Sequence, residues 1–118
     1  MAVTYIHVTV SNPEKPERKE AFKFLVDSGT VYTVMPEGVL GSLGLGPTST
    51  EDFILANGES FTMPVGNAYF EYKGKTRAAP VVFGSPDIFL LGATTLEALG
   101  MILDPIHRDL KPLPMSLM

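Results

Sequence analysis

Between residues 2 and 10 the chain alternates, with Val3, Tyr5, His7 and Thr9 on one face and Thr4, Ile6, Val8 and Val10 on the other. A period of two built largely from β-branched residues predicts a strand. The next segment, SNPEKPERKE at 11–20, is charged and carries Pro13 and Pro16, so it reads as a solvated hairpin loop. A second strand, AFKFLV at 21–26, ends in three bulky apolar residues that run directly into Asp27-Ser28-Gly29-Thr30. After it come the β-branched VYTVM and then PEGVLGSLGLGP, where Pro36 can open a short helical turn. The four glycines of that stretch argue against a long helix. They also lack the Lys-Ser/Thr of a phosphate-binding loop.

The longest β signal covers residues 51–83. Asn57-Gly58 favours a tight turn with both central residues at positive φ, so residues 52–63 are expected to form a hairpin with that pair at its tip. Lys73-Gly74-Lys75 predicts a second hairpin turn, and Pro64 and Pro80 are expected at strand ends, edges or bulges. The stretch DIFLLGATTLEALGMILDP reads as a buried strand, a glycine, a short helix and a last strand. Thr94 and Glu97 have capping-box spacing, Leu96 and Leu99 share a face, and Gly100 suits the position past a helix end. Residues 1–104 are therefore taken as the domain. Residues 105–118 are a proline-interrupted tail whose apolar ending, MSLM, suggests docking on something.

Composition narrows the function classes. A length of 118 residues suits one domain, and 11 Gly with 10 Pro fit a turn-rich, all-β chain. The net charge is −4 and the basic residues form no run, so neither nucleic acid nor an anionic membrane is expected as a partner. The absence of cysteine removes disulfides, thiolate nucleophiles and zinc-thiolate sites. His7 and His107, the only histidines, fall on a strand and in the tail, so no metal site or other cofactor is expected. No Gly-x-Ser-x-Gly elbow is present to begin a serine triad. Six methionines, Met115 and Met118 among them, suit core and dimer contacts better than redox chemistry. The N-terminus alternates instead of forming a signal-peptide core, and no apolar run approaches membrane-spanning length, which makes the cytoplasm the default location.

Asp-Ser-Gly alone is common at turns. Its context here is an apolar strand before Asp27 and a second apolar run ending in Leu91-Gly92, just ahead of a short helix. With FLVDSGT, FLLGATTLEALG and MILDP in this order, residues 2 to about 104 resemble the retropepsin-like aspartic proteases, single-domain relatives of pepsin. The resemblance implies a small closed or partly open β-barrel with a flap hairpin and one short C-terminal helix. It also implies an aspartic endopeptidase acting on peptide or protein substrates. Two carboxylates around one water can hydrolyse an amide, and two like charges so close share a proton and titrate as a unit. The chain holds one such motif, so a homodimer with Asp27 contributed by each protomer is implied.

By the same resemblance Ser28 would bond the opposite loop's backbone, Gly29 would let partner and substrate approach, and Thr30 would donate its hydroxyl to Asp27. Leu55, Ala56, Asn57, Gly58 and Glu59 would form the flap tip, with fewer glycines than retroviral flaps and no tyrosine as in pepsin. Glu59 either selects basic or amino-terminal groups or is simply solvated. Leu90, Leu91 and Gly92 would cross behind the active-site loop, and Ile88 and Leu90, with Val34 and Val82, line the cleft or belong to the core. Asp104, before Pro105, reads as a turn residue. Residues 2–10 are the expected dimer strand, with residues 113–118 an extended arm. Two other readings stand: a non-catalytic peptide-binding or dimerisation module on the same fold, and an unrelated small β-barrel in which Asp27 caps a turn.

Overall fold

The computed structural model describes residues 3–114; the expected docking of MSLM, with Met115 and Met118, lies outside the described residues. The elements in chain order are β1 (Tyr5–Asn12), β2 (Lys15–Val26), β3 (Thr33–Pro36), α1 (Glu37–Ser42), β4 (Ser49–Ile54), β5 (Ser60–Tyr72), β6 (Lys75–Gly84), β7 (Leu90–Leu91), α2 (Ala93–Leu99), β8 (Met101–Asp104) and β9 (Asp109–Pro112). The fold is all-β in class, with two short helices. Seven strands form one sheet in the order β1-β2-β7-β3-β6-β5-β4, and β1 also pairs with β5, so the sheet returns on itself as a ring. The contacts β2–β7 and β3–β6 are parallel, and the other pairings are antiparallel. β8 and β9 form a separate two-stranded sheet.

The alternation of β1 places Thr4, Ile6, Val8 and Val10 inside and leaves Val3, Tyr5 and His7 exposed. Inside the ring, Val8, Val10, Phe24, Met35, Leu40, Phe70, Val81, Leu91 and Leu99 are fully buried. Burying each such side chain is worth about 1.5–3 kcal/mol, which makes this core the main support of the fold.

The segment expected as a loop at 11–20 is mostly strand. The chain turns at Pro13-Glu14, where the Glu14 N–H bonds Asn12 Oδ1 at 2.9 Å. β2 then begins at Lys15. The ladder jumps from Asn12↔Lys15 to Ser11↔Lys19, so Pro16-Glu17-Arg18 bulges out. These strand residues are charged because both faces meet solvent, which erases the alternation that would have marked them. β1 itself is taken into its own sheet, by β2 along its length and by β5 at Thr9–Ser11. From Tyr5 to Val8 its second flank pairs with no strand among the described residues.

Both hairpins form where the sequence places them, but the first turn differs in type. Ile54 pairs with Ser60, and Gly58 N–H bonds Leu55 O at 2.9 Å while Leu55 N–H bonds Glu59 O at 2.7 Å. Only Gly58, at φ 88°, is left-handed. This is a type I turn closed by a glycine bulge, and it needs one left-handed residue where the two-residue turn needs two. The two-residue turn occurs instead at Lys73-Gly74, φ 49° and 79°, between Tyr72 and its partner Lys75. Pro64 and Pro80 lie inside strands, each where one flank is vacant: β6 pairs β5 only from Val65, and β3 meets β6 only from Val81.

Helix α2 starts two residues earlier than the Thr94–Glu97 capping box requires. Gly92 is its N-cap, without a side-chain cap, and Gly100 ends it in the left-handed conformation at φ 67°. Part of the expected tail folds back as β9 on β8, with Tyr72 Oη–H donating to Asp109 Oδ1 at 2.6 Å and Lys73 3.7 Å from the same carboxylate. Asp104 does hold the intervening turn: its Oδ1 accepts the N–H groups of Ile106 and His107 at 3.2 Å. No helix among the described residues is long and apolar enough to cross a membrane.

Candidate active site

Asp27 is the first residue past β2, and the approach to it is tightly held. The N–H groups of Leu25, Val26 and Asp27 donate to Phe89 O at 2.9 Å, Thr4 O at 2.9 Å and Leu91 O at 3.0 Å. Phe24 and Val26 anchor the strand in the core. The chain then turns, with Thr30 N–H bonded to Asp27 O at 3.1 Å. The half-buried Asp27 carboxylate is oriented by its own loop: Oδ1 accepts the Gly29 N–H at 3.0 Å and Oδ2 accepts the Thr30 hydroxyl at 2.8 Å. Ser28 is exposed beside it. At Gly29 an added Cβ would meet only Asp27 Oδ1 among the described residues, at an ordinary 3.4 Å, so no contact with them demands glycine there.

The two-residue strand β7 lies between β2 and β3, with Leu90 opposite both Leu25 and Val34. Leu91 is fully buried. Gly92 follows, and a Cβ there would stand 2.5 Å from Tyr32 C and 2.9 Å from Thr30 O, so only glycine fits under the loop. Its N–H donates to Thr33 Oγ1 at 3.0 Å, and Thr33 Oγ1 lies 2.6 Å from Thr95 Oγ1. The next two amides, Ala93 and Thr94, donate to Thr30 O at 2.7 Å and Val31 O at 2.9 Å. The unpaired N–H groups of α2 thus fasten the loop that carries Asp27. Sequence reading missed Thr33 and Thr95, because a threonine in a β-branched run or a short helix carries no local mark of burial.

The β4–β5 hairpin carries Leu55, Ala56, Asn57, Gly58 and Glu59 at its exposed tip, where Glu59 N–H bonds Asn57 Oδ1 at 2.9 Å. Ile54, Leu55 and Phe61 on this hairpin are exposed. It is tied toward the loop through rings: Phe61 lies 6.0 Å from Phe53, and Phe53 meets Tyr32 edge to face at 6.2 Å. The even spacing of Phe53 and Phe61, each four positions from Asn57, was the signal that could have identified the pair.

A concavity of about 430 Å³ has Leu25, Ile88 and Leu90 in its wall, with Tyr5 and Lys23. Lys23 Nζ sits over the Tyr5 ring at 4.8 Å. Val82, expected as cleft or core, is buried, and Val34 is half-buried on β3. Asp27 lies outside this concavity. The acidities that the structure displaces belong to β5 and the β8–β9 hairpin. The Asp104 carboxyl is lowered mainly by the hydrogen bond to His107 and Asp109 mainly by that of Tyr72, whose phenol is pushed up to about 12, chiefly by burial.

No protein-family model matches the chain, and a search of curated proteins gives no match. Solved structures do match. The solution structure of simian foamy virus (mac) protease is 21% identical over 78% of this chain and 92% of that one, with a TM-score of 0.54. EIAV protease complexed with the inhibitor HBY-793 is 14% identical over 86% of this chain and 92% of that one, with a TM-score of 0.63. The ring of strands, the two-residue strand crossing under the Asp27 loop and the exposed hairpin are thus arranged in the fold of the retroviral proteases.

Proposed function

We propose that this chain is one half of a homodimeric aspartic endopeptidase, with Asp27 of each protomer meeting across a two-fold axis to activate water between them. The observation that carries the reading is the Asp27 carboxylate itself. It ends an anchored strand, and its two oxygens are oriented by Gly29 N–H and Thr30 Oγ1. In the reaction one carboxylate takes a proton from water as oxygen attacks the amide carbon, and the other protonates the carbonyl oxygen. Collapse of the resulting diol breaks the C–N bond, with a proton passing to the amine.

Three further observations support the assignment. No contact with the described residues demands glycine at Gly29, which fits close approach by a partner or substrate. Ser28 is exposed beside it, available to the opposite loop. Apolar Val31, Ile54, Leu55, Phe61 and Ile88 are exposed, suited to a cleft completed by dimerisation and covered by the β4–β5 hairpin as a flap. The dimer contact then falls to β8–β9. β8 has Met101, Ile102 and Leu103 only half-buried and pairs with no strand but β9 among the described residues. An antiparallel meeting of two β8 edges obeys two-fold symmetry.

A peptide-library digest between pH 3.5 and 7.5 with wild type and Asp27→Asn tests the proposal. Cleavage should disappear in the variant; cleavage that persists removes Asp27 from the chemistry. The second reading, a non-catalytic peptide-binding or dimerisation module, draws on the flap tip, where Ala56 and Glu59 accompany a single glycine. It predicts binding of library peptides without cleavage by either protein.

A further inference from the structure

The β5–β6 ladder stops at Val65 opposite Val82, although β5 extends back to Ser60 and β6 on to Gly84. One more step would set Pro64 against Phe83, and Pro64 has no N–H for a ladder. β6 continues beside β3 to Gly84 opposite Pro36, β5 runs beside β4, and the two strands part. Between them is a groove of about 790 Å³. Met63, Pro64, Phe83 and Phe89 give it apolar walls, while the exposed Glu37 and Asp87 add two carboxylates. No Lys, Arg or His lines it, and neither carboxylate has an ion-pair partner among the described residues.

The position of Asp87 adds weight. It stands at φ 68° in a turn closed by Ile88 N–H to Ser85 O at 3.4 Å, with Pro86 before it. Such a turn prefers Gly or Asn at that place. An aspartate there accepts backbone strain, and the carboxylate it brings lines the groove. The flank of β5 that β6 has left, from Ser60 to Pro64, has no strand beside it among the described residues and can receive an extended chain.

We propose that this groove is a second peptide-docking site, separate from Asp27, which takes an extended segment of a partner protein bearing Lys or Arg between bulky apolar side chains. The apolar walls accept the flanking side chains, and Glu37 with Asp87 accepts the cation. Nothing in this site requires hydrolysis at Asp27.

The test is fluorescence anisotropy on the full chain carrying Asp27→Asn, which removes probe cleavage. The probes are a labelled octapeptide of alternating Leu and Arg and its counterpart of alternating Leu and Glu. The Arg probe should bind at least about tenfold tighter, and added salt should weaken it. Glu37→Gln should reduce its affinity roughly threefold and Glu37→Lys at least about tenfold, the exposed position keeping both variants folded. Thr76→Ala, exposed at the far end of the β5–β6 ladder and bordering neither concavity, should leave binding unchanged. Equal binding of the two probes, indifference to Glu37→Lys, or loss of binding in Thr76→Ala would overturn the proposal. Since the measurement reads binding alone, its failure and a failure of proteolysis by the wild type are separate results.

Discussion

Thr33 Oγ1 and Thr95 Oγ1 stand 2.6 Å apart in full burial, joining β3 to α2 directly beneath the Gly92 amide that the first of them accepts. Either valine variant leaves one buried hydroxyl without its partner, at a cost of about 1–3 kcal/mol. Thr33→Val also strands the Gly92 N–H, so it should be the more damaging single change. The double variant should lose less than the two singles summed, since replacing both partners removes the orphan hydroxyl and leaves only the Gly92 N–H unpaired. A thermodynamic cycle by denaturant unfolding measures this, and strict additivity would mean the two hydroxyls act independently.

Thr30→Ala removes one of the two donors that orient Asp27. The loss should be about 1 kcal/mol of transition-state stabilisation, or roughly fivefold in kcat/KM. Thr30→Ser keeps the hydroxyl and should retain most of the rate. Equal rates in both variants would separate the hydroxyl from catalysis.

Gly92→Ala forces a methyl against the backbone of Tyr32 and Thr30. Backbone has to move, so the variant should lose about 1–3 kcal/mol and melt several degrees lower. Gly38→Ala is the control, because a Cβ there meets nothing within 4 Å.

The Tyr72–Asp109 hydrogen bond makes the attachment of β9 dependent on pH at both ends. Tyr72 is raised from 10.0 to about 12 by burial and by Asp109. A raised acid binds its proton more tightly when folded, so the contribution is complete below pH 10 and is lost as pH rises toward about 12. Asp109 is lowered from 3.8, so its contribution is complete above that value and is lost as pH falls through the folded one. Tyr72→Phe should abolish the alkaline loss, as read from melting temperature between pH 8 and 12. An unchanged alkaline slope would place that titration elsewhere.

Deleting residues 106–118 removes β9 and uncovers β8, and should weaken self-association at low micromolar concentration. Sedimentation velocity reads the outcome, and a deletion that stays fully dimeric would assign the contact to another surface.

The Asp27 strand, the glycine before α2 and the left-handed Gly100 were legible because each is marked locally, by an apolar run or by a residue type with one structural use. The Pro16–Arg18 bulge, the type of turn at Gly58 and the start of α2 were not. Pairing partners, not residue type, set all three: β1 holds the charged start of β2 in a ladder, β4 and β5 fix a five-residue connection, and the distant carbonyls of Thr30 and Val31 replace a capping box. The Thr33–Thr95 contact spans 62 positions, beyond any local pattern.

The carbonyls of Thr30 and Val31 are the acceptors for the Ala93 and Thr94 amides. Unwinding of the first turn of α2 and release of the Asp27 loop are therefore one opening event, and the local stability of the helix sets a floor under the rigidity of the carboxylate. Two amides distant in sequence from Asp27 become its reporters: their rate of exchange with solvent deuterium tracks how often the loop comes loose.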